Sequence, residues 1–379
     1  MQLTLQDVRA WGGGRPDAVL GGNDPFASFG PYETYVEART RAARPSFLRV
    51  GRQAVTWGEG RLLSSADGAP SGRSLDAFRG VWVTGTVDVE VLAALLDTPR
   101  PLGMAAADLA GPSRSGGELL GGRVGWTVEP WFRVEAVGLV CVSDSAGGAT
   151  GSDFLRAQRQ GETYTGSVRV SGGGAVSYGL EGAYQMGRAA LVRGGADRRA
   201  FAVSGHIAST FGRVRLSPTV RVGGSYASGD DGAGEYKQFD PMLPDVRTFY
   251  GPASFVAGSN LVEGHVRLGL VPFADTALSF GYHMLRLAES KGEWLNGYLL
   301  PVGRGSTGSA DLGHQGDVGF SWVPWSPVTV SLGYTLLVLG DGAKGVMGTQ
   351  GRGGAVSSTL VSPPSLTQYG FLQIGVRLP

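Results

Sequence analysis

A lone cysteine, Cys141, excludes an internal disulfide and a zinc site built on thiolates. No apolar run approaches the ~18 residues that a membrane-crossing helix needs, so a helical span is excluded. Lysine is nearly missing: it stands only at 237, 291 and 344, and the rest of the 33 basic residues are arginine. A GC-rich genome explains that bias as well as selection for guanidinium chemistry does. Charged residues are only 17% of the 379, and 33 basic against 32 acidic side chains give a formal net charge of +1. No bulk attraction to nucleic acid is therefore expected. Met1 runs straight into Gln2-Leu3-Thr4-Leu5, with no basic stretch and no apolar one, so no secretory signal is legible. Glycine is the excess: 64 residues, more than twice the average share of ~7%. There is no G-X-Y period to suggest collagen, and 42% apolar residues are too many for a disordered tract.

Helical periodicity is scarce, while alternation of apolar with polar or small residues is everywhere. Sixteen segments carry it: 2–11, 32–41, 46–57, 76–84, 86–96, 123–129, 131–142, 163–172, 175–187, 199–211, 213–227, 260–271, 275–288, 312–323, 327–339 and 367–377. In the clearest, Val328, Val330, Leu332, Tyr334 and Leu336 alternate with Thr329, Ser331, Gly333 and Thr335. Every second connection is short (Arg41 to Pro45, Gly85, Pro130, Gly173-Gly174, Gly212, Pro272 to Ala274, Pro324 to Ser326). The others, 12–31, 58–75, 97–122, 143–162, 188–198, 228–259, 289–311 and 340–366, are long and rich in Gly, Ser and Asp. Strict short/long alternation predicts an all-β, up-and-down antiparallel barrel of the outer-membrane kind, with short turns in the periplasm and long loops outside. An even strand count puts both termini on one side. Trp131, Phe273, Trp322 and Trp325 near short turns, and Trp11, Trp57 and Tyr226 at the other strand ends, predict two aromatic girdles. The face opposite the apolar one is small and polar, which predicts a wet interior. No linker or repeat divides the chain, so residues 1–379 read as one barrel domain.

With the apolar faces assigned to lipid, a set of charges points inward. Arg215 and Arg221 oppose Leu216, Val220 and Val222, while Glu263, His265 and Arg267 oppose Val262, Val266 and Leu268. Arg133 and Glu135, Asp88 and Glu90, Arg169, and Glu181 with Gln185 follow the same rule. Asp7, Arg9, Arg79, Asp317 and Arg377 are expected inward too. Each admits two readings, a paired charge that stiffens the wall or a lining of the substrate path. Collectively they favour a polar channel, because an Arg at mid-membrane on the lipid face costs ~2–4 kcal/mol. Arg49 and Arg52 have opposite parity. Either a bulge at Gly51 turns both inward, or Arg49 sits at the periplasmic interface and Arg52 alone is lumenal.

Enzyme motifs are weak. Gly340-Asp341-Gly342-Ala343-Lys344-Gly345 fits G-x-G-x-x-G after a strand, but the Gly and Ser that follow predict no helix to cradle a phosphate. Gly303, Gly305 and Gly308 repeat the pattern inside a loop, and there is no G-x-S-x-G elbow. His206, His265, His283 and His314 lie on four strands without metal-ligand spacing and read as wall residues, so no metal and no cofactor is expected. Asp230, Asp231 and Asp240 are the weak calcium candidates, in a loop where acidic surface residues are commoner than calcium sites.

From Phe47 to Ala77 a family resemblance becomes specific. Leu48-Arg49-Val50-Gly51-Arg52-Gln53, Trp57-Gly58-Glu59-Gly60-Arg61-Leu62 and Gly72-Arg73-Ser74-Leu75-Asp76 resemble the alginate export porins of Gram-negative outer membranes. Leu5-Gln6-Asp7-Val8-Arg9-Ala10-Trp11-Gly12, Leu180-Glu181-Gly182-Ala183-Tyr184-Gln185 and Tyr226-Ala227-Ser228-Gly229-Asp230 follow in family order. So do Phe239-Asp240-Pro241-Met242-Leu243-Pro244, Tyr282-His283-Met284-Leu285-Arg286-Leu287 and Leu312-Gly313-His314-Gln315-Gly316-Asp317. The resemblance implies an eighteen-strand barrel that exports an anionic polysaccharide through an arginine-rich constriction. Arg9, Arg52, Arg79, Asp7, Glu181 and Asp317 fall within its motifs. Three departures stand out. The family pattern has a signal peptide and about two further strands before the Gln-Asp-x-Arg strand, whereas this chain starts within that region. Gln315 replaces a usual acidic residue, and the chain ends Arg377-Leu378-Pro379 instead of on an aromatic residue. Sixteen strands are legible, and an even sixteen also closes a barrel.

The expectation is therefore a non-enzymatic outer-membrane channel passing an alginate-like polyuronate by diffusion. Its partners would be the polymer, outer-membrane lipid and periplasmic export-complex proteins. A general or small-anion porin is the first alternative, and an outer-membrane barrel enzyme the second.

Overall fold

The computed structural model describes residues 2–8, 28–66, 72–96, 117–129, 131–143, 161–189, 195–297, 299, 301–305, 308–325, 328–349 and 365–376. In chain order the strands are β1 (Gln2–Val8), β2 (Ser28–Arg39), β3 (Phe47–Gln53), β4 (Leu75–Thr84), β5 (Val87–Leu95), β6 (Gly117–Glu129), β7 (Phe132–Ser143), β8 (Gly161–Gly172) and β9 (Val176–Ala189). There follow β10 (Ala196–Thr210), β11 (Thr219–Ala227), helix α1 (Val246–Tyr250), β12 (Leu261–Leu270), β13 (Thr276–Arg286) and the small hairpin β14 (Glu293–Leu295) and β15 (Pro301–Arg304). β16 (Asp311–Trp325), β17 (Val328–Leu339), helix α2 (Asp341–Thr349) and β18 (Leu366–Val376) complete the chain. All strands except the hairpin form one 16-stranded antiparallel meander without a crossover, each paired with its neighbours in the sheet. These are the sixteen segments that alternation predicts.

Alternation also sorts the faces. On β17, Leu332, Tyr334 and Val338 are exposed, while Thr335, Leu337 and Leu339 are buried. The same outward belt runs through Val50, Phe78, Trp126, Val168, Leu180 and Ile207. Among the described residues no second sheet covers it, and a belt this long would be a liability in water. The sheet must also curl. Glu59, just after β3, touches Arg169 on β8, His206 on β10 and Arg221 on β11. In a flat sheet β3 and β11 would lie about 38 Å apart at the usual strand spacing.

The interior has two storeys. Towards the short turns it is charged. Towards the long loops it is dry, which corrects the expectation of a wet interior throughout. There the segments after β3 and β11 fold inward, and Val55, Trp57, Leu62, Phe239, Met242 and Leu243 pack on Leu92, Leu119, Leu139 and Cys141 of the wall. The two segments dock edge to edge through Ser64 N–H to Leu243 O, Leu243 N–H to Leu62 O and Asp245 N–H to Gly60 O. A second cluster joins α1, α2 and the hairpin to Leu285, Leu312 and Leu337. Trp57 is therefore a core residue and not part of a girdle, whereas Trp131, Phe273, Trp322 and Trp325 are exposed near the short turns. Trp11 lies outside the described residues.

Three local expectations are corrected. β6 starts at Gly117, six residues earlier than its pattern suggested, because glycines blur the alternation there. β11 starts only at Thr219: Leu216 and Ser217 adopt φ of 70° and 42°, and Phe211 N–H closes the turn on Pro218 O. Arg215 consequently sits exposed in a turn and not in a strand. A helix, α2, does follow Gly340. It is still no phosphate cradle, since Asp341 occupies its first turn and any side chain at Gly340 would strike the Asp311 carboxylate.

The facing is testable on β17. Leu332→Arg should lower the unfolding free energy in lipid vesicles by about 2–4 kcal/mol, and Ser331→Arg on the inner face by far less. Equal losses at the two positions would contradict the assignment of lipid and lumen.

Candidate functional site

The charged storey is built by register. Antiparallel pairing sets Glu37 opposite Arg49, Glu90 opposite Arg123, and Arg169 between Glu135 and Glu181. Opposed charges on one face are the stabilising unit of a sheet. Arg49 bonds Glu37 at 2.6 Å, Arg79 bonds Glu90 at 2.6 Å, and Arg123 links Glu90, Asp88 and Glu135 at 3.2, 2.9 and 2.8 Å. Arg133 holds Asp88 at 2.9 Å although a whole strand separates them. They meet over Gly125 of β6, where any side chain would collide with both. Arg169 closes the row, bonding Glu135 at 2.7 Å and Glu59 at 2.9 Å. Trp57 Nε1 donates to Glu90, which ties the row to the plug above it.

The pairs are layered. Asp88, Glu90 and Glu135 keep only 6, 1 and 5% of their side-chain surface, whereas Arg123, Arg79 and Arg133 keep 14, 16 and 25%. The short carboxylates lie against the wall and the longer guanidinium groups stand in front of them. In each of these pairs the carboxylate is thus the more deeply buried partner.

Glu59 is where plug and wall meet. Burial alone would push its carboxyl up, but His206, Arg169 and Arg221 together hold it below the ordinary carboxylate value. Arg61, two residues on, lies with its guanidinium 3.8 Å from the centre of the Phe249 ring. Arg267 reaches up from β12 and donates to the backbone oxygens of Thr248 and Phe249, so it anchors α1.

Of the residues singled out in the sequence, Arg79, Arg133, Arg169, Asp88 and Glu90 belong to this network, and Arg221 reaches it at 3.7 Å through Glu59. Glu181 borders a small cavity of about 40 Å³ that Arg61, Phe249 and Tyr250 also line. Glu263 and Asp317 form a separate group on β12, β13 and β16 with His265 and His283. Arg52 does not join. The β3 ladders show no register shift, so no bulge forms at Gly51, although that residue takes φ +122°. Arg52 shares the side of exposed Leu48 and Val50 and bonds Asp76 at 2.5 Å, while Arg49 faces the inner network, the reverse of what the unbulged alternative implied. Arg9 and Arg377 lie outside the described residues, as does the side chain of Asp7. The acidic loop residues are occupied singly: Asp230 accepts Gly232 and Lys237 N–H, Asp231 accepts Ala233 N–H, and Asp240 accepts Met242 N–H. Sequence reasoning missed Arg123, which lay at the edge of a strand read too short. It also missed Glu59 and Arg61, which sit in a segment read as an outer loop although the Trp57–Leu62 motif contains them.

Two predictions follow from this geometry. Glu90→Ala strips a carboxylate from Arg79, Arg123 and Trp57 at once and should destabilise the barrel by about 3 kcal/mol, read as a lower denaturant midpoint in vesicles. Because Glu59 titrates below its unfolded value, its hold on the plug exists above the ordinary carboxylate range and is lost as pH falls through its own lowered pKa. Single-channel conductance should rise only once pH falls below the ordinary carboxylate range, and Glu59→Gln should show that raised conductance already at neutral pH. A variant that conducts like the parent would show that the plug is seated without this carboxylate.

Comparison with known proteins agrees with the barrel. A sequence profile described as alginate export matches residues 4–351. No curated protein sequence matches the chain. Among solved structures, OpdL of Pseudomonas aeruginosa is 10% identical, with a TM-score of 0.51 over 79% of this chain and 75% of that one. OccAB1 of Acinetobacter baumannii is 9% identical, with a TM-score of 0.50 over 79% of this chain and 70% of that one. At such identities the likeness concerns the fold. The family match, by contrast, spans more than nine-tenths of the sequence. The chain belongs to the alginate export family, and it is an outer-membrane β-barrel channel of the Gram-negative type.

Proposed function

We propose that this channel passes an anionic polysaccharide, an alginate-like polyuronate, by diffusion, and that it is not an enzyme. The observation that carries this reading is the layering of the inner wall, where guanidinium groups stand in front of buried carboxylates. Such a surface attracts uronate carboxylates, and each arginine is already partly neutralised from behind, so none holds the polymer tightly. Single Arg–carboxylate contacts are strong, but a row of similar sites allows hand-over from one to the next, as in other selective pores. A low-dielectric wall strengthens the field inside. Its partners are then the polymer, the surrounding lipid and periplasmic export-complex proteins. Family membership supports the polymer. The dry plug of inward-folded loops favours a second reading, a porin for small anionic solutes, because it narrows the bore.

Arg79→Ser with Arg221→Ser tests the reading. Glu90 keeps Arg123 and Trp57, so the fold should survive. In planar bilayers the parent should prefer anions, be blocked reversibly by polyuronate, and lose that block in high salt. The double variant should show weaker anion preference and a block weakened roughly tenfold or more, the worth of about one lost charge-assisted contact. Unchanged reversal potentials would mean these arginines are satisfied wall pairs and would sink the arginine-lined path. Block by monomeric uronate alone would favour the small-solute porin.

A further inference from the structure

Histidines that look scattered in the sequence meet across the β12–β13 ladder. His265 pairs directly with His283, and Glu263, two residues before His265, shares their inner face. One oxygen of Glu263 lies 2.8 Å from Nδ1 of both rings. One ligand atom from each of the three side chains falls within 4.8 Å of the others, and all three residues are buried. On the adjoining strand, Asp317 Oδ2 lies 3.4 Å from His283 Nε2 and is itself steadied by Gln315 and Thr335. We propose that Glu263, His265 and His283 bind one divalent transition-metal ion, with zinc(II) the fitting chemistry and Asp317 positioning His283.

Two imidazoles and one carboxylate form a zinc-type ligand set with a fourth position left for water. Calcium and magnesium would instead ask for oxygen ligands throughout. Zinc bonds of ~2.0–2.2 Å set tetrahedral ligands roughly 3.3 Å apart, so the present 2.8 Å separations need to widen by about half an ångström, a small ring rotation. A second observation points the same way. With both Nδ1–H groups aimed at Glu263, the Nε2 atoms of His265 and His283 are buried without a hydrogen bond. An orphaned buried polar atom costs ~1–3 kcal/mol. Metal on Nδ1 moves each ring proton to Nε2, and His283 can then donate to Asp317, the carboxylate–histidine–metal relay of many sites. That settles one of the two orphans. The nearest cation on β12, Arg267, is turned away to the carbonyls of Thr248 and Phe249. Glu263 adjoins a small cavity: Ser225 donates to Glu263 Oε2 at 3.3 Å, and Ser225 and Tyr250 line a space of about 40 Å³.

The test uses the full, untagged chain folded in detergent micelles, so it is independent of what the channel carries. Titration calorimetry with zinc chloride should give one ion per chain. Cobalt(II) should give the visible bands of a four-coordinate site, and zinc should abolish them. His265→Asn with His283→Asn should remove both signals while heat-modifiable gel mobility still reports a folded barrel. Asp317→Asn, which deletes no ligand, should weaken zinc about 10–100-fold. If the histidine variants fail to fold, the parent protein decides alone. No stoichiometric zinc and no four-coordinate cobalt spectrum overturns the site, as does binding that survives in the double variant.

Discussion

Everything in this barrel answers to one constraint: alternate residues of every strand face lipid, where a charge costs ~2–4 kcal/mol at mid-membrane. Arginine and acid alike are driven to the inner face and crowded there. Crowding makes pairing obligatory, because an unpaired charge against a low-dielectric wall is costly. Antiparallel register then decides the partners, setting Glu90 opposite Arg123 and Glu135 opposite Arg169. Side-chain length decides which partner of a pair is buried deeper. Asp and Glu are short and stay against the backbone, whereas Arg extends past them.

The dry storey follows from the same geometry. Long loops at one end cannot all remain solvated when they carry Val55, Leu62, Phe239 and Phe255, and among the described residues they pack on the apolar inner wall beyond the charges. Leu92, Leu119 and Leu139 supply it on one side, Leu285 and Leu337 on the other. The storeys meet at Trp57, which packs in the apolar plug and donates to Glu90, and at Glu59, which pairs with Arg169, His206 and Arg221 of the wall. Plug and charge row are thereby joined through these two residues.

Strand positions and facing were legible because period-two alternation survives wherever one face meets lipid. Arg79, Asp88, Glu90, Arg133 and Arg169 could be placed on the inner side from that rule alone. What alternation cannot report is register. Nothing in the spacing of His265 and His283 brings them together, since 18 residues and a turn separate them, and only the β12–β13 pairing does so. Inward folding of loops was equally hidden, since glycine-rich composition predicts a loop but not its direction. Trp57 was misplaced for that reason. Arg215 was misplaced for another: its turn continues apolar alternation through Val214 and Leu216, and the positive φ of Leu216 has no sequence marker.

Arg49 and Arg52 show how little separates a wall charge from a surface one. Three residues apart on an unbulged strand, they must face opposite ways, and each finds an acid on its own side, Glu37 within and Asp76 on the other face. Arg52 can be tolerated there because it lies near the loop end of β3, where the penalty falls towards 0–1 kcal/mol. Moved to the depth of Val50, the same pair would meet hydrocarbon. Depth along the strand, as much as parity, therefore sets where an arginine can be carried, and the row from Arg49 through Arg169 occupies the storey in which both conditions hold.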